Sequence, residues 1–205
     1  MAAAYDSPDV NTIEVGWVVA PSRGSTLPTL FTYWTSDGYK STGCYNLECP
    51  GFVQTYHGTA LDGALANISV YGGIQFDITY DVRKDRSTQN WWLSLNGIAV
   101  GYWPASIFTR MSESADVLVW GGEVYDKVAP GDNTPTQMGS GHFSRESYMK
   151  ASYIRDIKYI DTSGNDVVLG ASELAPLITE SSCFDLNIEQ RDQVYVFYGG
   201  PGCRK

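Results

Sequence analysis

The residues best suited to chemistry in this chain of 205 residues are carboxylates. Two carboxyl groups that lie close together share a proton, because both cannot ionise cheaply, so one serves as general base and the other as general acid. Glu14 and Glu123 each lie in a predicted strand, two residues from Gly16 and Gly121 respectively. A position without a side chain beside each carboxylate leaves room for a substrate backbone. The alternative is that both glutamates are solvated on an outer sheet face.

Other catalytic arrangements have less support. The sequence contains no G-x-S-x-G, H-E-x-x-H or P-loop motif. Its two histidines are His57 and His142. His142 follows a Gly-Ser-Gly run and is the better candidate for a Ser-His-Asp site, although a histidine in such a turn is more often structural.

The four cysteines allow three disulfide pairings. We favour Cys44–Cys49 with Cys183–Cys203, because short loops close at low entropic cost. Zinc binding is the rival interpretation, but the sequence has no C-x-x-C spacing, so we predict no metal site. A cysteine nucleophile is not expected if all four residues pair.

Composition narrows the class of protein. The net charge is −9, with 14 Lys and Arg against 23 Asp and Glu, which argues against nucleic acid or an anionic membrane as partner. Charged residues are 18% and aromatic residues 13%, which together with the even number of cysteines indicates a secreted, β-rich domain. The first residues have no signal-peptide character, so we expect any such segment to lie outside this sequence. Asn67 begins an N-glycosylation sequon, Asn67-Ile68-Ser69.

The elements that must position these residues are strands, because apolar and polar residues alternate along most of the chain. We predict strands over residues 10–19, 30–35, 51–56, 66–71, 75–82, 91–95, 98–102, 117–125, 151–161 and 193–198. Asn96-Gly97 predicts a type I′ hairpin turn between two of them. Residues 104–111 predict a short helix. The fold class predicted is all-β: an antiparallel two-sheet β-sandwich of jelly-roll or lectin-like type with one short helix.

Seven sequence blocks carry a family resemblance. They are Asn11–Trp17, Leu30–Tyr39, Thr42–Phe52, Gly101–Pro104, Trp120–Glu123, Thr136–Phe143 and Tyr198–Gly202. In order and spacing they resemble the neprosin family of secreted peptidases, from about residue 9 to the end of the chain. The resemblance implies two curved antiparallel sheets whose concave face carries two catalytic glutamates, here Glu14 and Glu123. It also implies cleavage after proline at acidic pH, no metal or organic cofactor, and two disulfides that match the local pairing.

Further site residues follow from this resemblance. Aromatic faces suit the rigid apolar ring of proline, and the candidates are Trp34, Tyr39, Trp103 and Trp120. For each of them a place in the sandwich core is the alternative. Gln137 lies in a resemblance block and is a candidate donor to an oxyanion. We assign the role of base to Glu14, although sequence alone cannot assign the sites of a coupled pair.

The function predicted is a secreted, monomeric glutamic endopeptidase that acts on proline-containing peptides or proteins through a water molecule activated by the two glutamates. The alternative is a non-catalytic lectin-like or peptide-binding β-sandwich, and a structural role in the extracellular matrix is a third option. We expect residues 1–8 to be disordered or added by cloning, and residues 9–205 to form the catalytic domain. Thirteen residues precede Glu14, whereas family members usually have further strands and a pro-segment upstream.

Overall fold

The computed structural model describes residues 2–4, 10–125 and 134–203, and these residues form β-strands, turns and short 3-10 helices. The strands are β1 Ala2–Ala4, β2 Asn11–Ala20, β3 Ser25–Thr35, β4 Cys44–Tyr45, β5 Val53–Gln54, β6 Tyr80–Lys84, β7 Trp91–Leu95, β8 Ile98–Trp103, β9 Val117–Leu118, β10 Ser152–Arg155, β11 Lys158–Ile160, β12 Asp166–Val168, β13 Asp185–Gln190 and β14 Val194–Gly199. The 3-10 helices are Pro21–Arg23, Ala105–Ile107, Ser144–Glu146 and Ala171–Glu173. In these residues no helix has the length and apolar character needed to cross a membrane.

The chain forms two compact units, one of residues 1–68 and 76–119, the other of residues 69–75 and 120–205. The first unit contains a five-stranded sheet in the order β4-β3-β2-β1-β9 and a four-stranded sheet in the order β5-β8-β7-β6. All of their pairings are antiparallel. Both sheets contribute to one core, Ile13 and Trp34 from the first and Leu93, Val100 and Trp103 from the second. The all-β, two-sheet sandwich predicted from the sequence is therefore confirmed.

The β2–β3 hairpin carries the first predicted catalytic residue. Ile13 pairs with Trp34 and both side chains enter the core, because alternate residues of a strand share a face. Glu14 pairs with Tyr33, so these two side chains lie on the opposite face of the sheet. Pro21–Arg23 forms the connecting turn, which Gly24 closes with a φ of 90°. The register of this hairpin therefore decides which face Glu14 occupies.

The second unit has a three-stranded sheet in the order β10-β14-β13 and a two-stranded sheet of β11 and β12. Its main core surrounds Ile157, Val194 and Val196. A smaller apolar cluster surrounds the Cys183–Cys203 disulfide and includes Phe184. The predicted strand over residues 151–161 is interrupted at Asp156, where φ is 55°, and so forms β10 and β11.

Several local predictions are confirmed. Residues 91–95 and 98–102 form β7 and β8, and Asn96 and Gly97 take φ values of 49° and 80°, as a type I′ turn requires. The predicted helix over residues 104–111 is present as the 3-10 helix Ala105–Ile107. The sequence predicts that residues 1–8 are disordered or added by cloning, and within this range Ala2–Ala4 pairs with both β2 and β9. Residues 1 and 5–8 lie outside the described residues.

Other strand predictions are wrong. Residues 66–71 form no strand, and the segment ends in a turn in which the Val70 N–H donates to the Ile74 carbonyl and the Gly73 N–H to the Val70 carbonyl. Residues 75–79 are likewise outside β6. The predicted strand over residues 117–125 extends only over Val117–Leu118. Alternation detects extended backbone, but it cannot show whether a neighbouring strand is available to pair.

Candidate active site

Glu14 lies on β2 with its side chain half-buried. Its Oε1 accepts hydrogen bonds from the Thr12 hydroxyl at 2.9 Å and from the Tyr39 hydroxyl at 2.7 Å. Within the first unit as described, Oε2 accepts no hydrogen bond. One carboxylate oxygen is therefore fixed by two donors, while the other remains available to a substrate or a water molecule.

Tyr39 reaches Glu14 from the loop that follows β3. The Asp37 carboxylate organises this loop by accepting hydrogen bonds from the backbone N–H groups of Lys40, Ser41 and Thr42 and from the hydroxyls of Ser41 and Thr42. These donors, the Ser41 hydroxyl foremost, hold the pKa of the Asp37 carboxyl far below its usual range. The loop thus keeps an ionised carboxylate at its centre in mildly acidic solution.

An aromatic row of Phe31, Tyr33, Tyr39 and Tyr45 lies beside Glu14. Tyr33 stacks on Tyr39 with ring centroids 5.9 Å apart and meets Tyr45 edge-on at 4.8 Å. Burial, and then the negative charge of Glu14, raise the pKa of Tyr33. Phe31 is the last member of the row and meets Tyr45 edge-on, with ring centroids 5.9 Å apart.

Sequence reasoning identified only Tyr39 in this row. Strand alternation contains the missing signal, because Tyr33 and Phe31 alternate with Trp34, which shares a face with Ile13. The expected space beside Glu14 at Gly16 is partly taken, since a Cβ there would lie 3.1 Å from the Phe31 ring.

Glu123 belongs to the second unit, where it is exposed and lies outside any described strand. Its neighbours anchor the segment instead. A Cβ at Gly122 would lie 2.5 Å from the Tyr198 ring, so the backbone there fits closely only as glycine. On the other side, Val124 packs against the Cys183–Cys203 cluster. The expected space at Gly121 is present, because no other atom lies within 4 Å of where its Cβ would be.

Two of the four aromatic candidates are core residues. Trp34 is 6% exposed and Trp103 is fully buried, and both belong to the core of the first unit. Trp34 meets Phe108 edge-on at 6.0 Å, and Trp103 meets Phe52 edge-on at 4.6 Å. Neither indole can contact a substrate from this position, which corrects the sequence-based expectation. Trp34 pairs with the buried Ile13 across β2 and β3, and Trp103 pairs with the buried Trp91 across β7 and β8, so both occupy core-facing positions.

The remaining aromatic candidates are accessible. Tyr39 is 53% exposed. Trp120 is half-buried and packs against the core of the second unit. Gln137 is exposed. Its side-chain amide lies against Gly141, because a Cβ added at Gly141 would be 2.7 Å from the Oε1 atom of Gln137.

His142 is engaged in a carboxylate contact. Its Nδ1 lies 3.0 Å from Glu146 Oε1, and Tyr71 donates to the other oxygen of that carboxylate at 2.8 Å. These two hydrogen bonds, that of Tyr71 first, lower the pKa of Glu146. No serine hydroxyl among the described residues bonds to the other ring nitrogen of His142, so the arrangement supports the structural interpretation.

The predicted disulfides are confirmed as Cys44–Cys49 and Cys183–Cys203. All four thiols are therefore unavailable as zinc ligands or nucleophiles. Among the described residues, no group of three or more His, Cys, Asp and Glu side chains is arranged to hold a metal ion. Asn67 is exposed.

Comparison with known protein families agrees with the resemblance carried by the sequence blocks. A family model described as Neprosin matches residues 1–201. The match includes both glutamates and every strand of the two units. Neprosin proteins are associated with proteolytic activity. Because nearly the whole chain is matched, this protein belongs to the neprosin family.

Proposed function

We propose that this protein is a secreted glutamic endopeptidase that hydrolyses peptide bonds after proline at acidic pH. Membership of the neprosin family supports a peptidase-related function. The observation that carries the finer proposal is the state of Glu14, a half-buried carboxylate with one oxygen held by two hydroxyls and the other without a donor in its unit. A general base needs such an oriented and accessible oxygen.

In the proposed mechanism Glu14 and Glu123 act on one water molecule. Ionised Glu14 takes a proton from water through Oε2, the water oxygen bonds to the scissile carbonyl carbon, and protonated Glu123 gives its proton to the carbonyl oxygen. The C–N bond then breaks as Glu14 passes its proton to the leaving amine, and a hydroxyl of the intermediate returns a proton to Glu123. Both carboxyl groups thus regain their starting states, with no covalent intermediate.

The requirement for one protonated carboxyl group sets the expected pH dependence. As pH rises, both glutamates become ionised and the donor to the carbonyl oxygen is lost, so turnover falls. The loop of Asp37 is suited to acidic conditions, because its central carboxyl has a strongly lowered pKa. Activity is therefore expected in acid and absent at neutral pH.

Substrate recognition is assigned to accessible aromatic faces. The exposed ring of Tyr39 and the half-buried ring of Trp120 are the proposed contacts for proline. Gln137 is the proposed donor to the oxyanion. The two disulfides are compatible with secretion, and N-glycosylation at the exposed Asn67 belongs to the same proposal. Proline-containing peptides or proteins are the proposed partners of a monomer, with no role for nucleic acid, membranes or a cofactor.

The test is digestion of a synthetic peptide with one internal proline, followed by mass spectrometry, at about pH 3 to 5 and at pH 7. A matched peptide with alanine in place of the proline is the control for specificity. We expect fragments ending in proline from the first peptide at acidic pH only. Binding of the peptide without cleavage would support the non-catalytic module instead, and equal cleavage of both peptides would contradict specificity for proline.

A further inference from the structure

The Tyr39 side chain is exposed over about half its surface, yet its hydroxyl is committed to Glu14 Oε1 at 2.7 Å. An exposed hydroxyl can bond to water in many orientations. For the Tyr39 hydroxyl to keep one contact with a carboxylate, the backbone of its loop must be rigid, because ordering a mobile loop costs conformational entropy. Tyr39 also has a φ of 62°, in the left-handed region that favours glycine. The strain of this backbone conformation at a bulky residue is offset by other interactions, and we infer that the hydrogen bond from the Tyr39 hydroxyl to Glu14 is one of them.

The surrounding loop supplies the required rigidity. The Tyr39 N–H donates to the Thr35 hydroxyl at 3.2 Å, and the Gly38 N–H donates to the Val10 carbonyl at 2.8 Å. Asp37 joins the far side of the loop through its bonds to Ser41 and Thr42. The loop is therefore tied both to the end of β3 and to the residue preceding β2, the strand that carries Glu14.

Thr12 approaches the same oxygen from within β2. Its side chain is fully buried, and it lies two residues before Glu14 on the same face of the strand. The two hydroxyls converge on Oε1 and so define which carboxylate oxygen is an acceptor in the resting protein.

We propose that Tyr39 and Thr12 are positioning residues for Glu14: their hydroxyls hold Oε1, orient Oε2 toward the water molecule and so select Glu14 as the general base of the pair. This inference rests on the proposed function, since it assigns roles within the same reaction. It separates two parts of Tyr39, with the ring available to the substrate and the hydroxyl acting through Glu14.

The chain offers a matched control in Tyr33. This residue pairs with Glu14 across the strands and stacks on Tyr39, but within the first unit as described its hydroxyl makes no hydrogen bond to Glu14. Replacing tyrosine by phenylalanine at either position removes one hydroxyl from the same aromatic row. Only the change at Tyr39 removes a bond to the proposed base.

The kinetic experiment measures kcat and KM of Tyr39→Phe, Tyr33→Phe and Thr12→Val on the proline peptide at acidic pH. We expect Tyr39→Phe to lower kcat roughly 10- to 100-fold, as for loss of a hydrogen bond to a charged group, with KM changed by less than about twofold because the ring remains. Thr12→Val should also lower kcat, and Tyr33→Phe should leave both constants unchanged. Wild-type kcat in Tyr39→Phe, or an equal loss in Tyr33→Phe, would overturn the inference.

A second measurement does not depend on turnover. In protein labelled with 13C at the glutamate carboxyl groups, the Glu14 resonance is identified by its absence in Glu14→Gln. Tyr39→Phe is expected to shift this resonance, whereas Tyr33→Phe is not. If the resonance shifts but wild-type protein cleaves no peptide, the hydrogen bond stands and the proposed function fails. If the wild type cleaves and the resonance does not move in Tyr39→Phe, the positioning role fails alone.

Discussion

Glu14 and Glu123 are positioned in different ways. Glu14 is part of a paired strand, where the ladder to β3 and two side-chain donors fix it. Glu123 lies outside any described strand, and the packing of its neighbours Gly122 and Val124 anchors its segment. The difference shows that regular hydrogen bonding and close side-chain packing are alternative means of placing a carboxylate.

The two disulfides differ in the same way, one being attached to a paired strand and the other to a packed apolar cluster. Cys44–Cys49 begins at β4, whose Cys44 pairs with Trp34 of β3, so it fastens a strand that already has ladder bonds. Cys183–Cys203 forms part of the cluster that Val124 packs against. The second disulfide therefore contributes more directly to the position of the glutamate in its own unit.

Removal of the disulfides is expected to have the largest effect on stability. Cys183→Ala with Cys203→Ala opens a sequence separation of 20 residues, and Cys44→Ala with Cys49→Ala opens one of 5. Chain entropy predicts losses of about 3 and about 2 kcal/mol in the free energy of unfolding. Urea unfolding of both double variants measures these losses. Peptidase activity at low urea concentration should fall further in the variant without Cys183–Cys203 than in the one without Cys44–Cys49. Equal activity in the two variants would show that Cys183–Cys203 has no greater part in placing a catalytic glutamate than Cys44–Cys49.

Two adjacent glycines test the packing around Glu123. Gly122→Ala places a Cβ 2.5 Å from the buried Tyr198 ring, so we expect a loss of about 1 to 3 kcal/mol in stability and a clear fall in kcat. Gly121→Ala is the matched control, because its Cβ meets no other atom within 4 Å. Thermal unfolding is measured for both, and Gly121→Ala is a control for stability alone, because the open position of Gly121 is expected to admit the substrate. If the two variants unfold at the same temperature, Gly122 does not anchor the segment.

A smaller, pH-dependent effect is expected at Asp37, which supports the Glu14 side of the comparison. Its folded pKa is lowered, so its ionised form stabilises the folded protein above the pKa of the unfolded state, and this contribution is lost as pH falls through the folded value. The melting temperature of Asp37→Asn should therefore be below that of the wild type at pH 6, and the gap should narrow in strong acid. A gap that is constant from pH 6 to about pH 2 would show that the Asp37 charge is not involved.

Predictions from the sequence were correct for features that depend on residues close together in the chain. The Asn96-Gly97 turn and the two local disulfides depend on residues close in the chain, and both predictions are confirmed. The face of Glu14 also agrees with strand alternation, because its two neighbours Ile13 and Val15 belong to or pack against the core of the first unit.

The sequence failed where distant packing decides. The segment around Glu123 alternates like a strand but does not pair beyond Leu118, and its contact with Tyr198 joins residues far apart in the chain. Residue type alone makes Trp34 and Trp103 candidates both for the substrate and for the core, because an aromatic side chain suits either place, and the structure assigns them to the core. The hydroxyl of Tyr39 on Glu14 depends on a left-handed backbone that no periodicity predicts.

The most direct test of the proposed peptidase is kcat/KM for Glu14→Gln on the proline peptide at about pH 4, beside Glu113→Gln as a control at an exposed glutamate of the same unit. We predict a loss of at least about a thousandfold for Glu14→Gln, since the amide cannot take a proton from water, and no change for Glu113→Gln. Glu123→Gln should show a comparable loss. Wild-type kcat/KM in folded Glu14→Gln would show that Glu14 is not the general base.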